Sequence, residues 1–178
     1  TRDAVTRGAH FVEALPASRV IAAFIAVEWL AVLATGLVVR HAGWIYYQGG
    51  DQLWYYTLGW ALGHGHVTQT PVGYGWSALL APISLVAGPN LVSAFPVIVL
   101  LNVLVLMPAA MLALYGIAAR IGGRHFGYWA LLLWVVVPFI GIRYTNTGYH
   151  QKYTELLLPQ AFGLTAMADF PTTVASLV

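Results

Sequence analysis

The stretch VIAAFIAVEWLAVLATGLVV, from Val20 to Val39, limits this chain more than any other feature. As a helix rising 1.5 Å per residue, it matches the roughly 30 Å hydrocarbon core of a bilayer. A second run, LVSAFPVIVLLNVLVLMPAAMLALYGIAA, extends from Leu91 to Ala119 with Pro96 and Pro108 inside it; transmembrane helices tolerate such prolines, often as kinks. A third runs from Phe126 to Ile142, and a fourth starts near Phe170. Only 8% of the residues are charged, against about 25% in soluble domains. The chain is 60% hydrophobic with a mean hydropathy of +0.75, more apolar surface than a soluble fold of 178 residues could bury. The expected fold is therefore all-α, a multi-pass transmembrane bundle. The Val20 run is too long, and follows too long a leader, for a signal peptide. A net charge of +2 gives no argument for nucleic acid, and with no cysteine there is neither a disulfide framework nor a cysteine metal site. A start at Thr1 and an end at Val178 inside an apolar run predict the N-terminal part, residues 1–178, of a larger transmembrane domain.

Charge sets the expected orientation. The segment before the first span carries Arg2, Arg7 and Arg19, and RIGGRH, between the second and third spans, carries Arg120 and Arg124. The positive-inside rule assigns both to the cytoplasm. The other side holds Arg40, Arg143 and Lys152, together with the acids Asp51, Glu155 and Asp169, in outer loops 40–90 and 143–169. Chemistry, if present, faces out of the cytoplasm across a plasma or inner membrane.

The first outer loop is not a flexible linker. DQLWYYTLGWALGHG reads as a short helix, with Asp51, Trp54, Tyr55, Leu58 and Leu62 on one face, ended by Gly63 and Gly65. YGWSALLAPISLVAG, from Tyr74 to Gly88, is a second apolar segment too short to span comfortably. Both are expected to lie in the interface, the depth that Trp and Tyr prefer.

Asp51 follows two glycines at the start of a helical pattern, and Asp169 precedes Pro171, so each has the position of an N-cap worth about 1 kcal/mol. Capping and catalysis are compatible, because a capping carboxylate is rigidly held. A carboxylate there serves as general base toward a hydroxyl, or binds a divalent ion bridging a phosphate. Arg143, Lys152 and Glu155, interleaved with tyrosines, lie in the second outer loop, where arginine suits bidentate phosphate contact and lysine a point charge. Arg143 has a second reading, as a side chain snorkelling to lipid headgroups. His64 and His66, with Asp51, are the available metal ligands. Glu28 lies inside the first span, where an acid costs on the order of 2.5–3.5 kcal/mol; it is expected to be protonated or paired.

The order of these segments resembles the GT-C superfamily of polyprenyl-phosphate-dependent membrane glycosyltransferases, in particular the protein O-mannosyltransferases and the aminoarabinose transferase of lipid A. The resemblance rests on GGDQLWYYTLGWALGHG after the first span, TQTPVGYGWSALLAPISLVAG, RIGGRHFGYWALLLWVVVPF and LTAMADFPTTVASLV, covering roughly Val20 to Val178. It implies a multi-pass enzyme that takes a sugar from a polyprenyl-phosphate carrier and transfers it to an acceptor outside the cytoplasm. By position, Asp51 matches the family's catalytic carboxylate and Asp169 its acid at the fourth span. The chain departs from the pattern at Gln52, where many relatives have Glu, and at Val72, where they have Pro. On this reading Arg143 and Lys152 offset the leaving phosphate, and Trp54, Tyr55, Tyr56 and Trp60 stack on sugar or hold the isoprenoid chain. The segment alone is expected to be inactive without the remainder of the chain or other membrane subunits. Two other readings remain: a non-catalytic membrane subunit with Glu28 as an intramembrane contact, and a lipid-linked sugar transporter.

Overall fold

A computed structural model describes residues 15–39, 50–144, 155 and 157–178, with Arg143 and Tyr144 described by their backbone alone. Among the described residues every regular element is a helix and there is no strand. Helix α1 (Ala17–Val38) starts behind Pro16, three residues before the apolar run alone would place it. Helices α2 (Gly50–Gly63) and α3 (Tyr74–Ala87) follow, then α4 (Leu91–Leu101), a π-turn (Asn102–Leu106) and α5 (Met107–Tyr144). Two short helices, α6 (Leu158–Ala161) and α7 (Asp169–Leu177), complete the order. Two helical stretches are long and apolar enough to cross a membrane: Ala17–Val38 and the 52 residues from Leu91 to Ile142.

The longer stretch is broken twice. Gly123, at φ 79° and ψ 176°, interrupts α5 in a conformation that favours glycine. The Tyr115 and Tyr128 rings stack with centroids 5.5 Å apart across this break; on an unbroken helix they would stand about 20 Å apart. The two arms therefore fold back on each other. Gly127 allows it, since a Cβ there would lie 2.7 Å from the Tyr115 ring. At the turn Arg124 donates to the Leu15 carbonyl and the Tyr128 hydroxyl, placing the start of α1 beside the α5 turn.

The second break is a consequence of proline. In the π-turn the Met107 N–H goes to the Asn102 carbonyl, so the Val103 carbonyl loses its ordinary i+4 donor, and Pro108 has no N–H to offer at i+5. That orphan acceptor is taken from outside: the Trp29 indole of α1 donates to it at 2.9 Å. Transmembrane helices tolerate prolines such as Pro96 and Pro108, often as kinks. Here one π-turn, Asn102–Leu106, lies between them.

Buried side chains form two cores. One joins α1, α5, α6 and α7, with Ile21, Met107, Met111, Leu131 and Phe162. The other joins α2, α3 and α4, with Tyr56, Trp76, Leu80 and Phe95. Within the second, α2 and α3 form a hairpin closed by the Tyr56 hydroxyl donating to the Gly88 carbonyl at 2.6 Å. The face that α2 buries differs from the sequence expectation. Leu58 is buried, but Trp54 stays exposed, and Gln52, Tyr56 and Gly59 are buried with Leu58. The reason is glycine: a Cβ on Gly59 would sit 2.9 Å from the Ser77 carbonyl, so its absence lets the two backbones approach more closely than an aliphatic face permits.

Candidate functional site: two carboxylates on one tyrosine

Asp51 and Asp169 lie inside the first turns of α2 and α7, where the helix dipole favours negative charge. Neither acts as an N-cap: both helices begin at or before the acid, and Ala168 takes the cap position of α7 without a side-chain bond. Both carboxylates are exposed. They come from loops more than a hundred residues apart, yet both charges act on the Tyr55 phenol. Burial pushes that phenol above its ordinary range, and the negative charges of Asp169 and then Asp51 push it further. Tyr55 and Ala168, the residue before Asp169, also pack against the same core.

Asp169 also stands on the rim of an open groove of about 610 Å³ between the second arm of α5 and α6–α7. Its walls include Leu133, Trp134, Val137, Leu157 and Phe170, with Gln160 and Thr173 as further polar groups. A groove of this volume and character suits an extended hydrocarbon chain.

Trp134 connects the groove to Glu28. The Glu28 side chain is 1% exposed and hydrogen-bonded to Trp134, which is the pairing that an acid inside an apolar helix requires. The other carboxyl oxygen, Oε2, is buried without a partner among the described residues. Glu28→Gln keeps an acceptor for the indole and is expected to change stability by less than about 1 kcal/mol. Glu28→Ala opens a cavity and frees the indole, with an expected loss of about 2–3 kcal/mol. Thermal unfolding of both variants in detergent checks this pair.

The other sequence candidates fall elsewhere. Glu155 is partly buried, while the Arg143 side chain and Lys152 lie outside the described residues. His64 is exposed; its ring packs on Trp60 at 4.2 Å and its Nδ1 bonds the Trp60 carbonyl at 2.8 Å, closing the end of α2. Among the described residues no three of His, Asp and Glu gather as metal ligands. Gln52, at the position of a second acid in the resembled pattern, is fully buried beneath α2 and is not presented beside Asp51.

Sequence reasoning missed two residues that shape the site, Trp76 and Asn102. Trp76 Nε1 donates to the Ala166 carbonyl at 2.9 Å, and Asn102 Nδ2 to those of Gly163 and Thr165 at 2.9 and 3.1 Å. The lone asparagine within the second apolar run was the available signal.

No protein-family model matches this sequence, and neither a curated protein nor a solved structure matches it.

Proposed function

We propose that this chain is the membrane-embedded part of a multi-pass transferase that moves a sugar from a polyprenyl-phosphate carrier to a hydroxyl acceptor outside the cytoplasm. The observation that carries the reading is that Tyr55, four residues after Asp51, packs on the same core as Ala168, while the adjoining Asp169 lines an apolar groove. Leu30, Leu33 and Leu37 leave α1 with an apolar outer face, which calls for lipid as its solvent. Exposed Leu53, Trp54, Leu79 and Val86 on the α2–α3 hairpin favour an interfacial position for it.

In this reading the isoprenoid chain lies in the groove along Trp134 and Val137, which brings the carrier's phosphate toward its rim. Asp51 is the general base: it takes the acceptor hydroxyl proton as the oxygen attacks the sugar's anomeric carbon and the carrier phosphate leaves. Asp169 orients the sugar or acceptor hydroxyls, and Tyr55 is held between the two acids as a neutral hydrogen-bond donor. Arg143 and Lys152 are assigned to the leaving phosphate. The docking role given to Glu28 in the subunit reading is weakened, because that side chain faces Trp134 within the chain.

The test is a transfer assay on the natural polypeptide in lipid nanodiscs, with a polyprenyl-phosphate-linked sugar as donor. Acceptor-dependent release of polyprenyl phosphate supports the reading. Absence of both release and carrier binding, the latter followed by tryptophan fluorescence, overturns it.

A further inference from the structure

Residues 162–168 form a loop of an unusual kind, since Phe162 through Ala166 are all buried. Connecting segments normally run over the surface, because buried carbonyls need donors. Here the donors come from two directions. Asn102, in the π-turn, gives both hydrogens of its side-chain amide to the carbonyls of Gly163 and Thr165. Trp76, on the α2–α3 hairpin, gives its indole N–H to the next carbonyl, that of Ala166. The close seating of Asn102 also requires glycine opposite: Gly163 has φ +68°, and a Cβ there would fall 2.9 Å from the Asn102 Cβ. The loop's side chains divide in the same way. Phe162 and Leu164 enter the core of α1, α5 and α7, whereas Ala166 enters the core of the hairpin. One short strap therefore belongs to both cores, and the residue after Ala168, where it ends, is Asp169.

We infer that Asn102 and Trp76 are positioning residues that hold the 162–168 strap between the two cores and so set Asp169 against Tyr55 and Asp51. This rests on the transferase reading for its meaning but not for its test. Neither residue touches the proposed site; each acts through backbone carbonyls. Trp76 ties the strap to the same hairpin that carries Asp51 and Tyr55, so one indole bond spans the two halves of the site. The Asn102 Oδ1 atom is buried without a partner among the described residues. An asparagine with an unsatisfied acceptor costs stability relative to an apolar side chain of similar shape, a cost set here against the two carbonyls that Asn102 orients.

The experiment reads the Tyr55 phenol in the purified natural polypeptide. Tyrosinate absorbance is titrated for each protein and the corresponding Tyr55→Phe background is subtracted. Removing the acid directly, in Asp169→Asn, sets the reference shift of Tyr55 toward its ordinary value. If the strap positions Asp169, Asn102→Leu and Trp76→Phe reproduce that downward shift, and adding Asp169→Asn to either produces no further one. Unchanged Tyr55 titration in both variants, with only the melting temperature lowered, would show a purely structural role and overturn the inference. Trp76→Phe keeps the buried ring and carries the test if Asn102→Leu does not fold. Because the readout needs no turnover, loss of the transferase reading would leave this result standing, and the reverse also holds.

Discussion

Asp51→Asn is expected to lower sugar transfer by about 10²- to 10⁴-fold, the usual contribution of a positioned general base, while leaving carrier binding and the far-UV spectrum unchanged. In free energy this is about 3–5 kcal/mol of transition-state stabilisation. The fold should tolerate the change, because Asp51 is exposed in the first turn of α2, and asparagine there loses only part of a dipole interaction worth about 0.3–1 kcal/mol. The loss should therefore fall on kcat. A variant with wild-type turnover would remove Asp51 from the mechanism and leave Asp169 as the base. A variant that loses carrier binding as well would place Asp51 in binding instead.

Gly59→Val is expected to cost about 1–3 kcal/mol of stability through overpacking. The new Cβ would meet the Ser77 carbonyl at 2.9 Å and the Leu80 Cβ at 3.1 Å. A backbone carbonyl has no rotamer to escape into, so α2 and α3 must separate. Against this, valine improves on glycine in intrinsic helix propensity by only about 0.3–0.5 kcal/mol, so the steric cost wins. Separation would carry Asp51 and Tyr55 away from Asp169, and transfer should fall along with the unfolding midpoint. Gly116→Ala is the control. An added Cβ there meets nothing within 4 Å, and the variant should be neutral or more stable by up to about 1 kcal/mol. Equal destabilisation by both substitutions would show that the hairpin does not depend on the close approach at Gly59.

Much of the helical architecture was legible along the chain. Apolar runs of sufficient length marked α1 and the Leu91–Ile142 stretch, and RIGGRH was placed as the break between the second and third runs, where Gly123 interrupts the helix. The spacing of DQLWYYTLGWALG was enough to predict α2, and Pro171 was correctly placed in the first turn of α7. The buried face of α2 was not legible. Hydrophobicity pointed to Trp54 and Leu58; helix packing buries Leu58 but leaves Trp54 exposed, and adds Gln52, Tyr56 and Gly59. Periodicity reports where apolar side chains recur, but a glycine seam signals by the absence of a side chain.

The site divides in the same way. Asp51 and Asp169 stood out by composition, since an acid beside a bilayer is scarce and costly wherever it is not at an edge or paired. Their meeting at Tyr55, the Glu28–Trp134 pair and the clamp on residues 162–168 could not be read along the chain. They depend on contacts such as Asn102 to Gly163 and Trp76 to Ala166, 61 and 90 residues apart. Local propensity and length are properties of neighbouring residues and survive in one dimension, so sequence alone determined the long helices, though not the π-turn or the short α6. Which polar groups face each other is set by satisfying buried donors and acceptors across the whole packed volume. Only the tertiary structure decides that.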